Sequence, residues 1–161
     1  MRRLVLVGTT PRAGETEGRD PDVPAVAGRP VPALEDFLFL FFEQSETSQL
    51  AGKQFWERRH ARTVDVDPPS SPQTAQAQSA AMTEWRTQRG ERFGELAAIT
   101  QPTLVVNGRH DIMLPTINSY ILAQHIPAAQ LIIYPDSGHG SLFQRSCGTG
   151  SSPARSPRLR C

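Results

Sequence analysis

Three short apolar runs along the chain have the pattern of strands in a parallel sheet. They cover residues 4–7, 103–106 and 131–134. Each run is continuous rather than alternating, which is typical of a strand buried on both faces. Turn-forming residues follow the first two runs, Gly8-Thr9-Thr10-Pro11 and Asn107-Gly108, and Pro135-Asp136-Ser137-Gly138 follows the third. The spacing predicts an α/β fold with about three parallel strands.

Helical propensity dominates most of the chain between and after these runs. Helices are predicted over residues 33–44, 45–62, 73–88 and 115–125, with a short helical turn over 92–99 and a further helix beginning at residue 141. Ser45 is a candidate N-cap for the second helix, and Pro115 suits the first turn of the fourth. Residues 11–32 contain five prolines and are predicted to form a loop, as are residues 64–72.

The composition is that of one globular domain. The chain has 161 residues, of which 38% are hydrophobic and 20% charged, enough for a single core. The longest apolar run is Phe37-Leu38-Phe39-Leu40-Phe41-Phe42, much shorter than the roughly 20 residues of a membrane helix. The apolar stretch near the N-terminus is too short for a signal peptide. We therefore expect a cytoplasmic protein with no membrane partner.

The positive charge is concentrated at the C-terminus. Residues 145–161 hold Arg145, Arg155, Arg158 and Arg160 and no acidic residue, so the rest of the chain has 13 basic against 16 acidic residues. This balance gives no electrostatic argument for a nucleic-acid partner. Cys147 and Cys161 also lie in this segment, which excludes a disulfide framework or a cysteine metal site. Its Gly, Ser, Pro and Arg content predicts disorder.

The candidate chemistry lies at the ends of the second and third strands. Asp111 follows one strand and His139 follows the next, and open α/β sheets place their ligands at this edge. Asp111 is expected to accept a hydrogen bond from one ring nitrogen of His139, which leaves the other nitrogen as a base. The alternatives are an unrelated loop histidine and capping aspartate, or a metal site formed with His110 and Asp136. We predict no metal and no cofactor.

Residues 99–144 resemble the C-terminal part of an α/β-hydrolase-fold protein of the esterase and cofactor-free haloperoxidase-like branch. The motifs that carry this resemblance are Gly108-Arg109-His110-Asp111 and Gly138-His139. The resemblance implies that Asp111 is the acid and His139 the base of a catalytic triad, and that a small-molecule acyl compound is the substrate. It also implies that residues 1–10 hold strand six of the family fold, that residues 11–98 form a helical cap, and that residues 99–144 complete the core, followed by the tail at 145–161.

The nucleophile of the family is missing from the sequence. A serine hydrolase of this fold carries its nucleophile in Gly-x-Ser-x-Gly at a strand-to-helix turn, and no serine here has that context. The nearest match is Gly150-Ser151-Ser152-Pro153-Ala154 in the tail. We expect a truncated hydrolase that is inactive alone. Its expected partner is a complementing N-terminal half, or a second copy of the chain that pairs with residues 4–7, the strand at the edge of the sheet. The alternative is a non-catalytic module that binds a small ligand or a protein through the cap pocket.

Overall fold

The structure, a computed structural model, describes residues 2–144. Strands β1 (Leu4–Val7), β2 (Thr103–Gly108) and β3 (Ala129–Tyr134) form one parallel sheet in the order β1-β2-β3. In the register of the sheet, Leu4 lies opposite Thr103, and Thr103 lies opposite Ala129. The three predicted parallel strands are thus confirmed, with β2 and β3 slightly longer than predicted. The segment predicted to be disordered, 145–161, lies outside the described residues.

Most helices of the described residues come between β1 and β2 in the sequence. They are α1 (Val23–Ala27), α2 (Leu34–Phe41), α3 (Glu46–His60), α4 (Pro72–Arg86), a 3-10 helix (Gly94–Ala98), α5 (Ile117–His125) and α6 (Ser141–Gln144). The predicted helices are present, with ends that differ from the prediction by at most three residues. Helix α1 falls in a segment that was predicted to be loop, and that prediction is wrong there. Pro24 lies in the first turn of α1, where the missing N–H has no intrahelical partner to lose.

One face of the sheet forms the main hydrophobic core with α5. Val105 of β2 is buried against Leu122 and Ile126, and Leu6 and Leu131 of the flanking strands pack on the same cluster. The opposite face is less covered at its β1 edge, where Val5 is 58% exposed. The expectation that β1 is buried on both faces is therefore wrong for this residue. Neighbouring residues of a strand point to opposite faces. Leu6 packs on the core cluster, whereas on the other face Val7 is half-buried and Val5 is exposed.

A second hydrophobic cluster joins α2 to α3. Phe37, Leu38 and Phe42 are buried, with Phe55 and Trp56 packed against them. The Phe37 ring centroid lies 5.7 Å from that of Phe55 and 5.3 Å from that of Trp56. The apolar run of α2 is thus covered by α3, since a helix that is apolar on most sides needs neighbours on several of them.

Helix α4 makes its tertiary contacts through its C-terminal turn. Every residue of α4 is exposed, and its N-terminus is capped by the Ser71 hydroxyl, which accepts from the Thr74 amide at 3.1 Å. Near the other end, Arg12 pairs with Glu84 at 2.7 Å, and the Trp85 Nε1–H donates to the Thr10 carbonyl at 3.1 Å. Between residues 2 and 144, none of the helices has the length and apolarity that crossing a membrane requires.

Candidate active site

Asp111 lies in the turn that follows β2, and this turn holds its carboxylate in place. Oδ1 of Asp111 accepts hydrogen bonds from the backbone amides of Met113 and Leu114, both at 2.9 Å. The residue is only 4% exposed. Because buried polar groups are stable only when they are hydrogen-bonded, these two amides fix the carboxylate position and leave Oδ2 to accept from another donor.

His139 supplies that donor from the loop that follows β3. Its Nδ1 lies 2.9 Å from Asp111 Oδ2. Since a carboxylate oxygen accepts but does not donate, Nδ1 carries the proton of this hydrogen bond and Nε2 is the nitrogen left for a reaction partner. The side chain of Asp111 is fully buried and that of His139 is 18% exposed. The structure thus brings the two predicted site residues into direct contact.

Glycines allow the loops of this site to approach each other closely. A Cβ on Gly108 at the end of β2 would lie 2.2 Å from the carbonyl oxygens of Ser137 and Gly138, which no side chain could accommodate without a backbone shift. Gly8 follows β1 with φ +49°, and a Cβ there would lie 3.1 Å from the His139 ring. Both positions therefore need glycine, the first for space and the second for space and conformation.

An apolar cavity of about 220 Å³ lies beside the imidazole. It is lined by His139 together with Val7, Phe41, Leu142 and Phe143. The ring centroid of Phe41 lies 5.4 Å from that of His139, and the backbone carbonyl of Phe41 accepts from the Gly140 amide at 2.7 Å. The end of α2 therefore contacts the histidine loop through both its side chain and its backbone.

The remaining residues considered for a metal site have other partners. His110 Nδ1 lies 2.7 Å from Glu43 Oε2, and the Asp136 carboxylate accepts from the hydroxyls of Ser45 and Thr47. Within residues 2–144, no group of three histidine, cysteine, aspartate or glutamate side chains is placed to hold a metal ion. Cys147, Cys161 and the serine of the nearest Gly-x-Ser-x-Gly match lie outside the described residues.

Sequence reasoning missed several residues around the histidine loop. Phe41 was noted only as part of an apolar run, and Gly8 only as the end of a strand. Gln144 hydrogen-bonds to Ser48 and Ser137 at 2.9 and 3.1 Å and carries no signal in the sequence. The apolar run over residues 37–42 was the one sequence pattern that included Phe41.

Comparison with known proteins concerns the family and the fold of the chain. The sequence profile of the alpha/beta hydrolase fold matches residues 1–146. An alpha/beta hydrolase fold protein from Chitinophaga pinensis is 38% identical, with a TM-score of 0.79, over 90% of this chain and 52% of that protein. A meta-cleavage product hydrolase from Pseudomonas fluorescens is 21% identical, with a TM-score of 0.56, over 90% of this chain and 51% of that one, a likeness that concerns the fold.

A curated relative is also similar over most of the chain. The pimeloyl-[acyl-carrier protein] methyl ester esterase of Nitrosomonas europaea is 29% identical over 101 residues, which make up 63% of this chain and 37% of the esterase. The chain thus spans about half the length of the matching structures and little more than a third of this relative. Since the family profile matches residues 1–146 of the 161, the chain belongs to the alpha/beta hydrolase fold family.

Proposed function

We propose that this chain supplies the acid, Asp111, and the base, His139, of a serine-type hydrolysis of an ester or similar acyl bond. The observation that carries the proposal is the hydrogen bond of 2.9 Å between His139 Nδ1 and a fully buried carboxylate. A buried, amide-anchored carboxylate fixes the tautomer of the imidazole and stabilises the imidazolium that forms when Nε2 takes a proton. The esterase among the relatives supports the choice of an ester as the bond that is cleaved.

In the proposed reaction, His139 Nε2 takes the proton of a serine hydroxyl as that oxygen attacks the acyl carbon. The resulting imidazolium, facing Asp111, gives the proton to the leaving alcohol, and an acyl-enzyme is formed. Nε2 then takes a proton from water as the water oxygen attacks the acyl carbon. The imidazolium returns this proton to the serine oxygen as the acyl–serine bond breaks, which releases the carboxylic acid and restores the serine. The roles of both residues are the same in the two halves of the reaction.

We propose that the attacking serine comes from outside these 161 residues, since none of the serines in the sequence has the Gly-x-Ser-x-Gly context. It would belong either to a further segment of the same polypeptide or to a complementing chain. In both cases the 161 residues alone have no hydrolytic activity. We further propose that residues 11–98 act as a cap, because Phe41 of α2 lines the cavity beside His139.

The experiment that tests this function compares the chain alone with a fusion. The fusion joins the part of the Chitinophaga pinensis protein that this chain does not cover to the 161 residues, on the N-terminal side that the family resemblance implies. Both are assayed with p-nitrophenyl esters and a fluorophosphonate probe, with the intact Chitinophaga pinensis protein assayed in parallel. We expect no activity and no labelling of the chain alone, and hydrolysis by the fusion.

Substitutions in the fusion test whether His139 and Asp111 are catalytic, with a control for effects that any substitution near the site could have. His139→Ala and Asp111→Ala are expected to lower kcat by about 10⁴-fold. His110→Ala changes an exposed histidine whose ring pairs with Glu43 and not with Asp111; it is the matched control and is expected to keep the activity. A folded fusion without activity, or an active one that His139→Ala leaves unchanged, contradicts the proposal. Serine labelling of the chain alone would contradict the external nucleophile.

The second candidate is a non-catalytic module that binds a small apolar ligand. The observation that favours it is the cavity of about 220 Å³ whose lining is mostly aliphatic and aromatic, the composition typical of small-ligand sites. Binding of a small aromatic ligand by the chain alone, with an affinity that His139→Ala and Asp111→Ala do not change, would support this function, provided the fusion shows no hydrolysis.

A further inference from the structure

A polar cluster connects the histidine loop to the corner between α2 and α3. The side-chain amide of Gln144, the last residue of α6, lies at its centre. Its Oε1 accepts from the hydroxyls of Ser48 and Ser137, at 2.9 and 3.1 Å, and its Nε2 donates to the carbonyl of Asp136 at 2.6 Å. One amide therefore joins helix α3 to two residues of the loop that precedes His139.

The partners of this amide are themselves buried or fixed. Ser48 and Ser137 are fully buried. The Ser48 hydroxyl also accepts from the backbone amide of Glu43 at 2.9 Å, and the Ser137 carbonyl accepts from the His110 amide at 3.1 Å. Because buried hydroxyls need acceptors, both serines depend on Oε1 of Gln144.

The loop that carries His139 is also held by contacts on either side of the histidine. Asp136 has φ +53°, a conformation that aspartate tolerates better than most residues, and its carboxylate binds the α3 hydroxyls described above. On the far side, a Cβ on Gly140 would lie 2.8 Å from the Phe41 carbonyl oxygen. The loop carrying His139 is thus held at residues 136–137 by Gln144 and at residue 140 by α2.

We propose that Gln144 is a positioning residue for His139. It does not contact the imidazole. It fixes the backbone at Asp136 and Ser137, and through them the distance from His139 Nδ1 to Asp111. The relevance of this role to catalysis rests on the proposed function, but the hydrogen bond that it controls exists without a nucleophile or substrate, so its test needs no hydrolysis.

The test follows the Nδ1–H proton of His139 by NMR in the full 161-residue chain. The sequence has four histidines, so ring ¹⁵N labelling gives few signals, and His139→Ala assigns the one of interest. In the unsubstituted chain, the proton is expected to exchange slowly with water because it is bonded to a buried carboxylate. Gln144→Leu removes the central amide and should raise the exchange rate at least tenfold.

Two further variants make the result specific. Gln144→Glu keeps the size and the acceptor but places an oxygen where Nε2 faces the Asp136 carbonyl, so it should also raise the rate. Gln124→Leu replaces an exposed glutamine of α5 that bonds only to the Tyr120 hydroxyl among the described residues, and it should leave the rate unchanged. A lower melting temperature for Gln144→Leu with an unchanged exchange rate would mean a purely structural role and would overturn the proposal.

A variant that fails to fold does not end the test. If Gln144→Leu unfolds the chain, Ser137→Ala removes one of the three hydrogen bonds at the same amide and becomes the deciding variant. Faster exchange in Ser137→Ala supports the positioning role, and an unchanged rate overturns it. The ester-hydrolysis fusion is not used, so an inactive fusion would contradict the proposed function and leave this result standing.

Discussion

Asp111 makes two kinds of hydrogen bond, and two substitutions separate their contributions to stability. Oδ1 accepts from two backbone amides of its own turn, and Oδ2 accepts from His139. Asp111→Asn keeps an oxygen for the amides of Met113 and Leu114 but turns an NH₂ group toward Nδ1. Asp111→Ala removes all three hydrogen bonds.

The expected losses of stability follow from the number and type of bonds. A hydrogen bond to a charged group contributes about 1.5–3 kcal/mol, so Asp111→Asn should lower the free energy of unfolding by about 2 kcal/mol. The two amide bonds contribute about 1 kcal/mol each. Asp111→Ala should therefore be less stable than Asp111→Asn by about 2 kcal/mol, and less stable than the unsubstituted chain by about 4 kcal/mol.

Urea unfolding followed by far-UV circular dichroism measures these differences, provided the slope of the transition is the same in all variants. Asp67→Ala is the control, because its side chain is 97% exposed and its loss should change stability by less than about 0.5 kcal/mol. Equal stability of the Asn and Ala variants would refute the reasoning about the turn. A loss below about 0.5 kcal/mol in both variants would refute a stabilising role for the pair.

Three further substitutions test the packing and the surface of the described residues. Gly108→Ala places a Cβ against two backbone carbonyls and should lower the free energy of unfolding by about 1–3 kcal/mol, whereas Gly94→Ala, which meets only the side chain of Glu91, should cost less in the same urea titration. Ser71→Ala removes the N-cap of α4 and should destabilise that helix by about 1 kcal/mol, seen as faster amide exchange in its first turn with unchanged exchange in α5. Val5→Lys, at the open edge of the sheet, should reduce self-association in size-exclusion chromatography, and Val31→Lys, at an exposed loop position, should not; equal effects would contradict association through the edge.

The strands and the approximate helix positions could be predicted from local patterns. Each strand is an apolar run with turn residues after it, and the structure arranges the three strands in the order β1-β2-β3. Helix α1 could not be predicted, because proline usually interrupts helices and only its placement in the first turn makes this one possible. The exposure of Val5 could not be predicted either, because the sequence does not show which face of a strand is covered by a neighbouring element.

The contact between Asp111 and His139 was predictable because both follow the carboxyl ends of neighbouring parallel strands. The residues that hold the histidine loop were not. Gln144 and Ser48 are separated by 96 positions in the sequence, and their contact exists only because α3 lies against α6. Polar residues of this kind have no periodicity, so nothing short of the tertiary structure assigns them partners.

The backbone amides of strand β1 provide a test of the proposal that the nucleophile comes from outside the chain. The amides of Leu4 and Gly8 donate to Pro102 and Val106, both at 3.0 Å, so the even-numbered positions of this strand face β2. Because backbone groups alternate in direction along a parallel strand, the amides of Val5 and Val7 point to the open edge of the sheet.

We expect the part of the fold that carries the nucleophile to add a strand beside β1 in the active fusion, because β1 lies at one end of the described sheet. In the chain alone, the amides of Val5 and Val7 should exchange fast with water, and that of Leu6 should exchange slowly because it faces β2. In the fusion all three should exchange slowly, since a new neighbour pairs with the open edge. Fast exchange at Val5 and Val7 in a fusion that hydrolyses esters would mean that no strand pairs with the open edge of β1 and that the nucleophile reaches His139 by another route.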